Sequence, residues 1–431
     1  MAGVIFGTGF LFPSQIGVYY RRMQDTNIYT YLTPIALFFV LLEVGAAFAW
    51  KRDYVSFPEA IANFGTALGN QTVNVLVAAG VYVVYGYLWD NFRLFTIELN
   101  WWTFILLLLG VDFIFYWVHR WGHAINIMWA AHSPHHSAEE MNFMVALRAS
   151  VTQRFCSFLF FWPLALIGFQ PLHIYMMSGI HLFIAFLHHT EFIGKLGWFE
   201  KYFTTPSHHR VHHGVNFPYI DKNFGEFLII WDKMFGSFAE EKEKVVYGIY
   251  DHPKSWNPVR INFHFFIVLW KYAMATPRVW DKIRVWFMPA GWRPPGVEPK
   301  EMIEITTENQ IKFRPPMFEN SRVYLIVQLI VGVVLMLGII SNLFGWNTGQ
   351  RWIGAVLLWW HIIDWSGILE AKPWLWASEN LRVIVTAFAL IMMNGLYQPS
   401  AALFALLAVS AYSILWTNLY FRPSSPRLAP A

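Results

Sequence analysis

The chain concentrates its histidines in three short clusters. Thirteen of its 16 histidines fall between residues 119 and 213, and the clusters read HRWGH, HSPHH and HRVHH. On a helix, positions i, i+3 and i+4 lie on one face, so each cluster predicts two or three imidazoles that point to a common centre. Imidazole nitrogen is a ligand for Zn, Cu, Fe and Ni. The eight motif histidines are His119, His123, His132, His135, His136, His209, His212 and His213.

Eight imidazoles at one site indicate two metal ions with three or four ligands each. A zinc hydrolase normally uses three protein ligands, and a two-metal phosphatase would usually add bridging carboxylates. Two irons that activate O2 for attack on a lipid C–H bond best suit a nitrogen-rich site at a membrane surface. Imidazole alone does not select the metal, and zinc could replace iron in a purified sample. A pH-sensing or solvated imidazole patch is the alternative that needs no metal.

The composition indicates that a bilayer forms part of the surroundings of this chain. Of its 431 residues, 56% are hydrophobic and 13% are charged, whereas soluble domains carry about 25% charged residues. A membrane-spanning helix needs about 20 mostly apolar residues, and we expect about eight helical segments here, some of them re-entrant. The candidate segments are Ile28–Trp50, Asn70–Trp89, Trp101–Val118, Phe155–Thr190 with a break near Gly168, Val323–Gln350, Arg351–Ser366, and Val383–Phe421 with a break at Gln398-Pro399.

We therefore predict an all-α fold, namely a polytopic integral membrane helical bundle with a cytosol-facing, histidine-rich di-metal cap. Residues 1–100 would form N-terminal membrane helices, 101–273 the di-iron catalytic domain, 274–321 a polar membrane-proximal arm, and 322–431 C-terminal membrane helices and a tail. Residues 1–22 lack the basic start of a signal peptide. The cytoplasmic side is favoured by the positive-inside tendency of Arg120, Lys195, Lys201, Arg210, Lys222 and Lys233.

Metal-bound imidazoles usually donate their second N–H to a carboxylate or a carbonyl. Asp112 lies seven residues before His119 on the same helix face, inside an apolar segment where an acid is costly, and we expect it to hold His119. A helix-cap or surface role is the alternative for the further candidates, which are Asn142, Glu191, Asp221, Asn223 and Asp232. We expect structural roles for His173, His181, His252, His264 and His361, while Asp364 could line a lipid path.

The order H-x-x-x-H, H-x-x-H-H, H-x-x-H-H resembles the fatty acid hydroxylase/sterol desaturase superfamily of integral membrane di-iron enzymes. Longer stretches resemble its alkylglycerol monooxygenase branch, which hydroxylates the carbon next to the oxygen of ether lipids. The resemblance covers about residues 110–295 and rests on DFIFYWVHRWGHAINIMWAAHSPHHSAEEMN, HTEFIGKLGWFE, TPSHHRVHHGVNFPYIDKNFGEFLIIWDKMFGSF and KIRVWFMPAGWRPP.

The resemblance implies that the eight motif histidines are ligands of two Fe ions and that His189, in HHTEF, is a ninth. His188 has no counterpart and is expected to pack, whereas His208 would lie behind the ligands or at the surface. Asp232 matches the W-D-[KR]-x-F-G phrase of the family. Animal members use tetrahydrobiopterin and carry an acidic residue where this chain has Ala124. The implied partners are therefore O2, a membrane lipid, and an electron donor that is either a pterin or a redox protein.

Two other functions stay open on the residues alone. A sterol or fatty acyl hydroxylase or desaturase would use the same ligand set. A metal transporter or metal-sensing membrane protein would place its ligands in mid-membrane helices, whereas these histidines follow helix ends or lie in the polar segment 191–260. The net charge of +4 is spread out, and no basic stripe indicates a nucleic-acid partner.

Overall fold

A computed structural model of the protein describes residues 28–298, 301–341, 344–422 and 428–429. Helices account for most of these residues, as the all-α prediction requires. The helices are α1 Tyr29–Ala49, α2 Phe57–Phe92, α3 Trp101–Ala124, α4 Asn126–His136, α5 Phe143–Ala146, α6 Gln153–Phe158, α7 Trp162–Ile167, α8 Pro171–Leu187, α9 Pro206–His212, α10 Ile230–Phe235, α11 Pro258–Ala275, α12 Val279–Phe287, α13 Ser321–Ile340, α14 Thr348–Leu369, α15 Leu375–Asn394 and α16 Ala401–Tyr420. The shorter elements are the 3₁₀ helices Gly197–Lys201 and Phe217–Tyr219 and the strands β1 Met317–Phe318 and β2 Leu428–Ala429.

In the described ranges, seven helices are long and apolar enough to cross a bilayer, namely α1, α2, α3 and α13 to α16. The expected integral membrane bundle is thereby confirmed, with seven spans where about eight segments were predicted. The difference lies in the run Phe155–Thr190, which forms three short helices, the longest of them the 17-residue α8. The run breaks at Gly168, where φ is +131° and a Cβ would lie 2.2 Å from the Phe95 oxygen. Only glycine tolerates that approach.

The described residues divide into two compact units. The first contains residues 28–55, 76–253 and 262–311, and it includes all nine histidines singled out as ligands. The second contains residues 56–75, 254–261 and 312–429. The four-part division expected from the sequence stays a prediction, and the expectation about a signal peptide concerns residues 1–22, which lie outside the described part.

Helix α3 of the first unit carries the first two histidines to the end of an apolar segment. It begins at a capping box, in which the Asn100 side chain accepts from the Thr103 amide and the Thr103 hydroxyl bonds back to the Asn100 amide, a reciprocal pairing that stabilises helix starts. Leu107 and Val111 are buried on its inner face and pack in one cluster with residues of α7 and α8. The extended backbone of Ile125 then ends α3 and allows α4 to start in a new direction.

The second unit buries an ionic network between its helices. Arg382 of α15 donates to both carboxylate oxygens of Glu379, at 2.8 and 2.5 Å, and lies 3.7 Å from Asp364 of α14. The other oxygen of Asp364 accepts from Ser378 at 2.7 Å. Asp364 is therefore held by protein groups, and the suggestion that it lines a lipid path gains no support from its contacts.

The chain end contributes a short strand that the sequence did not predict. Phe318 pairs with Leu428 and Met317 with Ala429 in an antiparallel ladder, although RPSSPRLAPA has the composition of a disordered tail. The remaining tail residues after 422 lie outside the described part.

Candidate metal centre

The nine predicted histidines come from four places in the first unit. His119 and His123 occupy the last turns of α3, and α4 ends with its three histidines. Helix α9 and the residue after it supply three more, and His189 lies just after α8. All nine are at most 9% exposed. The structure thus places every predicted ligand in the protein interior, either in the last turns of α3, in the short helices α4 and α9, or directly after α8 and α9.

The first group contains five imidazoles whose donor atoms lie within 4.8 Å of one another. Nε2 of His132 is 3.1 Å from Nε2 of His119 and 3.0 Å from that of His136. Nε2 of His136 is also 3.2 Å from that of His123 and 3.1 Å from that of His212. A neutral imidazole nitrogen carries at most one proton, so hydrogen bonds could satisfy at most one of the three contacts that His136 makes.

The second group contains the other four imidazoles, again within 4.8 Å of one another. Nε2 of His189 is 3.2 Å from that of His135 and 3.0 Å from that of His209. Nε2 of His213 is buried and has no hydrogen-bond partner. The family resemblance suggested His189 as a ninth ligand. Its position among the four imidazoles of the second group fits that suggestion better than a packing role.

Both H-x-x-H-H clusters are divided between the two groups. The i, i+4 pair His132 and His136 points to the first group, and the intervening His135 points to the second. In α9 the i, i+4 pair His209 and His213 points to the second group, and His212 to the first. The pattern thus supplies ligands to two centres at once, which the helical periodicity alone did not reveal.

Backbone carbonyls hold three of the rings in one tautomer. Nδ1 of His119 donates to the Phe224 carbonyl at 2.9 Å, and Nδ1 of His212 donates to the Lys222 carbonyl at 3.0 Å. Nδ1 of His189 likewise donates to a carbonyl in the last turn of α8, at 2.9 Å. Because a carbonyl only accepts, the proton sits on Nδ1 and leaves each Nε2 with its lone pair facing the group.

The donor set fits transition-metal ions. Two nitrogens that each bond one ion at about 2.0–2.1 Å lie about 3 Å apart when the bonds are near a right angle, and the Nε2 contacts are 3.0–3.2 Å. Burial, and after it the neighbouring imidazoles, lowers the pKa well below the ordinary histidine value in His132, His135, His136, His209, His212 and His213. Burial also lowers the pKa of His189 to about 4. The rings are therefore neutral near pH 7, the form that binds metals.

Asp112 does not take the position predicted for it. Its carboxylate accepts from Nε2 of His181 at 2.8 Å, from the Phe227 and Leu228 amides at 3.0 and 3.1 Å, and from the Trp231 indole at 2.8 Å. The partner of His119 is instead the Phe224 carbonyl, as described above. Asp112 anchors the segment that carries this carbonyl, so its influence on His119 runs through the backbone. His181 is thereby a structural partner, as predicted.

Asp232 and Asn223 support the same segment from the other side. Asp232 accepts from the Phe224 and Gly225 amides at 2.8 and 2.7 Å, and Ser237 donates to it at 2.7 Å. Asn223 donates to the His208 carbonyl and exchanges hydrogen bonds with the Ala239 backbone. Both residues contact backbone rather than an imidazole, and both fix the loop whose carbonyls orient His119 and His212.

The other three predicted supporting residues differ in position. Asp221 lies 3.4 Å from Nδ1 of His123 and is 63% exposed, so it contacts a histidine of the first group from the solvent side. Glu191 accepts from the Tyr247 hydroxyl. Asn142 caps α5 by accepting from the Met144 amide, which was the alternative considered for it, because an Asn before a helix start satisfies a free amide.

His188 and His208 are both buried, at 7% and 2% exposure. Burial lowers the pKa of His188 to about 3 and that of His208 to about 4. His208 is not at the surface, and its ring packs against Phe238. His188 lies in a further set of three buried side chains, with His209 and Glu226, so packing is not its only contact.

Several residues that sequence reasoning missed hold the second group together. Arg210 donates to both oxygens of Glu241, at 2.9 and 2.7 Å, and to the Thr190 and Ile193 carbonyls at 3.0 and 2.7 Å. Its position between His209 and His212 was the available signal, but it was counted only as a surface charge. Arg210 thereby ties α9 to the loop that follows His189.

Glu43 of α1 makes a second connection to that loop. It accepts from the Thr190 hydroxyl at 2.5 Å and from the Phe143 amide at 2.6 Å, and it is 3% exposed. An acid inside a spanning segment is a signal for such a role. Glu43 thus connects α1 to the residue directly after His189.

A cavity of about 280 Å³ reaches the histidines from one side. Trp129, Phe265, Tyr272 and Trp292 contribute aromatic walls, and Arg293 contributes a positive charge. Its other lining groups include His123, His136, His212 and His213, together with Asn126, Asp221, Tyr250 and Asp251. A mostly apolar pocket with a few polar groups is typical of a site for a small molecule or part of a lipid.

Comparison with known proteins defines the class to which this site belongs. The family model described as fatty acid hydroxylase matches residues 104–237, a range that contains all nine histidines of the two groups. Together with the seven candidate spanning helices, this match indicates a membrane enzyme of lipid hydroxylation with a candidate metal site. No solved protein structure matches the chain.

Longer matches identify the particular family. The alkylglycerol monooxygenase of Homo sapiens is 37% identical over 378 residues, which cover 85% of this chain and 83% of that one. The alkylglycerol monooxygenase of Xenopus tropicalis is 35% identical over 342 residues, or 78% and 74% of the two chains. A Delta(7)-sterol 5(6)-desaturase of Aspergillus fumigatus is 22% identical over 248 residues, or 52% and 65%. The chain belongs to the alkylglycerol monooxygenase family and is a monooxygenase, as its resemblance predicted.

Proposed function

We propose that this protein hydroxylates the ether-adjacent carbon of alkylglycerols, using O2 and two iron ions held by the two histidine groups. The observation that carries the proposal is the convergence of nine buried imidazoles in sets of five and four. The relatives described above are alkylglycerol monooxygenases, which supports the ether lipid as substrate. Bound iron would supply the activation of O2, and hydroxylation next to the ether oxygen would give a hemiacetal that separates into an aldehyde and a glycerol derivative.

The residues of the cavity have separate tasks in this proposal. His136 and His212 carry Nε2 atoms of the first group and also line the cavity, so a carbon placed there lies beside the reacting centre. Trp129 and Phe265 exclude water and contact the alkyl chain. Asp221 is exposed and can accept hydrogen bonds from the free hydroxyls of a glycerol. The cavity walls would thereby align the ether-adjacent C–H bond before reaction.

The electron donor is a tetrahydropterin or a redox protein. Support for a pterin comes from the family, whereas Ala124, in place of an acidic residue, leaves a redox protein as the alternative. The histidine site is proposed to face the cytoplasm, where either donor would reach it. The basic residues near the histidines support this side, and Arg293 at the cavity would attract a negatively charged headgroup or donor.

The test uses purified full-length protein in detergent. The metal is removed with a chelator and the protein is reloaded anaerobically with Fe2+ or with Zn2+. Reduced iron-loaded protein supplied with O2 is expected to convert an alkylglycerol to aldehyde and glycerol, and zinc-loaded protein is not. A matched acylglycerol, which has an ester in place of the ether, serves as the control substrate. Iron-loaded protein that oxidises neither substrate with either electron donor would contradict the proposal.

Lipid analysis of a deletion strain separates the related alternatives. Accumulation of alkyl ethers supports the proposed substrate, whereas a change confined to sterols or fatty acyl chains would favour a sterol or acyl hydroxylase or desaturase. Metal movement across proteoliposomes without oxidation would favour a transporter. His119 and His123 lie in the last turns of α3 and the other seven histidines lie outside the candidate spanning helices, whereas a transporter would place its ligands in mid-membrane helices.

A further inference from the structure

Glu226 lies near members of both histidine groups, although neither group counts it among its ligands. It follows Phe224 and Gly225 in the loop after α9, and it is 2% exposed. Its Oε2 lies 3.9 Å from Nδ1 of His119, which belongs to the first group. A carboxylate oxygen also lies within 4.8 Å of nitrogens of His188 and His209, and His209 belongs to the second group. Glu226 is therefore positioned between the outer sides of the two groups.

Two buried nitrogens near Glu226 have no hydrogen-bond partner. They are Nδ1 of His188 and Nδ1 of His209, whose side chains are 7% and 2% exposed. Nε2 of His209 is directed at Nε2 of His189, 3.0 Å away. When His209 binds an ion through Nε2, its proton must sit on Nδ1, and a buried N–H needs an acceptor. Glu226 is the carboxyl group that has an oxygen within 4.8 Å of a nitrogen of His209.

The other nearby carboxylates are committed to different partners. Asp112 receives four donors and Asp232 receives three, as described above. Asp221 approaches His123 only and is largely exposed. Glu226 is therefore the buried carboxyl group that remains near members of both groups.

We propose that Glu226 is a positioning residue shared by the two metal sites, placed beside His119 and able to accept from the outer N–H of His209 once His209 binds an ion through Nε2. This inference rests on the proposed metal centre. A metal-bound histidine that donates to a carboxylate is held in one orientation and binds its ion more strongly. One side chain would therefore couple the stability of the two sites, so that its loss weakens both rather than one.

The test compares wild-type protein with Glu226→Gln, which keeps the size of the side chain and removes its charge. Full-length protein in detergent is loaded anaerobically with Fe2+, and release to a colorimetric chelator is followed in time. Release from Glu226→Gln is expected to be 10- to 100-fold faster, since removal of such an outer partner typically costs that much in metal affinity. Both kinetic phases should accelerate. The visible spectrum of Co2+-loaded protein should shift as well, because the ligand field changes.

The controls separate the local effect from general destabilisation. Glu240→Gln removes a half-exposed carboxylate that pairs with Lys195 at the surface, and it should leave iron release unchanged. Glu226→Asp keeps the charge and should release iron at a rate between those of wild type and Glu226→Gln. If Glu226→Gln does not fold, the test rests on Glu226→Asp. Iron release from Glu226→Asp at the wild-type rate would then overturn the inference. Wild-type protein that retains no Fe2+ overturns the metal centre itself, and this inference with it.

Discussion

Nε2 of His136 lies 3.1 Å from Nε2 of His212, although 76 residues separate the two in the chain. The contact joins the end of α4 to α9. Since α3 brings His119 and His123 to the same place, three helices contribute to one five-membered set of nitrogens. The first group therefore depends on tertiary packing, and a single substitution within it should lower the metal content of the protein.

Replacement of His212 by alanine should lower the rate of lipid oxidation by about 100-fold or more, because metal-assisted chemistry needs an intact ligand set. The metal content per chain should fall, while the protein still inserts in the membrane. Metal analysis and product formation check both expectations. His173→Ala, in α8 and outside both groups, is the matched control and should keep its metal and most of its activity. Wild-type metal content and activity in His212→Ala would exclude His212 from the site.

Replacement of His189 by alanine should affect the second group selectively. The metal content is expected to fall by about half, because the remaining three histidines of that group bind an ion more weakly while the first group keeps five. Metal analysis after gel filtration with a weak chelator measures this loss. An unchanged metal content would remove His189 from the ligand set and leave it a packing residue.

Replacement of Asp232 by alanine should destabilise the loop that orients His119. The Phe224 and Gly225 amides would lose their acceptor inside the protein, at a cost of about 2–4 kcal/mol in the free energy of unfolding. Metal affinity should fall as well, because the Phe224 carbonyl would no longer be held. Asp232→Asn retains one acceptor oxygen and should show a smaller effect. Chemical denaturation and metal release are the measurements, and equal values for both variants and wild type would contradict this role.

Replacement of Arg210 by lysine should weaken the second group without removing a ligand. Lysine cannot reproduce the two parallel hydrogen bonds to Glu241 together with those to the Thr190 and Ile193 carbonyls, since its ammonium is a single point donor. Metal release from one of the two sites should accelerate. Lys195→Ala removes an exposed ion pair with Glu240 instead, which solvent screens, and it should leave metal release unchanged. Identical release from both variants would indicate that Arg210 has no positioning role.

The sequence was most informative where the signal was local. Long uncharged runs predicted the spanning helices, because a bilayer demands about 20 consecutive apolar residues. It was less informative in Phe155–Thr190, where the backbone contact between Gly168 and Phe95 divides an apolar run into short helices. Hydropathy does not record a contact between segments more than 70 residues apart.

The supporting residues show the same limit. Asp112 shares a helix face with His119, and spacing predicted a direct contact. In the structure, Asp112 instead accepts hydrogen bonds from His181 and from backbone amides of the loop before α10. Glu226 carried no signal at all, since its importance depends on its closeness to residues of α3 and α9.

The sequence by itself determined the membrane class, and it predicted a metal site at the eight motif histidines, because composition and helical spacing are local properties of the chain; the family resemblance added His189. Only the tertiary structure decided that these histidines form one set of five and one set of four, with each H-x-x-H-H cluster divided between them. The physical reason is that a helix periodicity specifies which side chains share a face. The packing of α3, α4 and α9 specifies what each face meets.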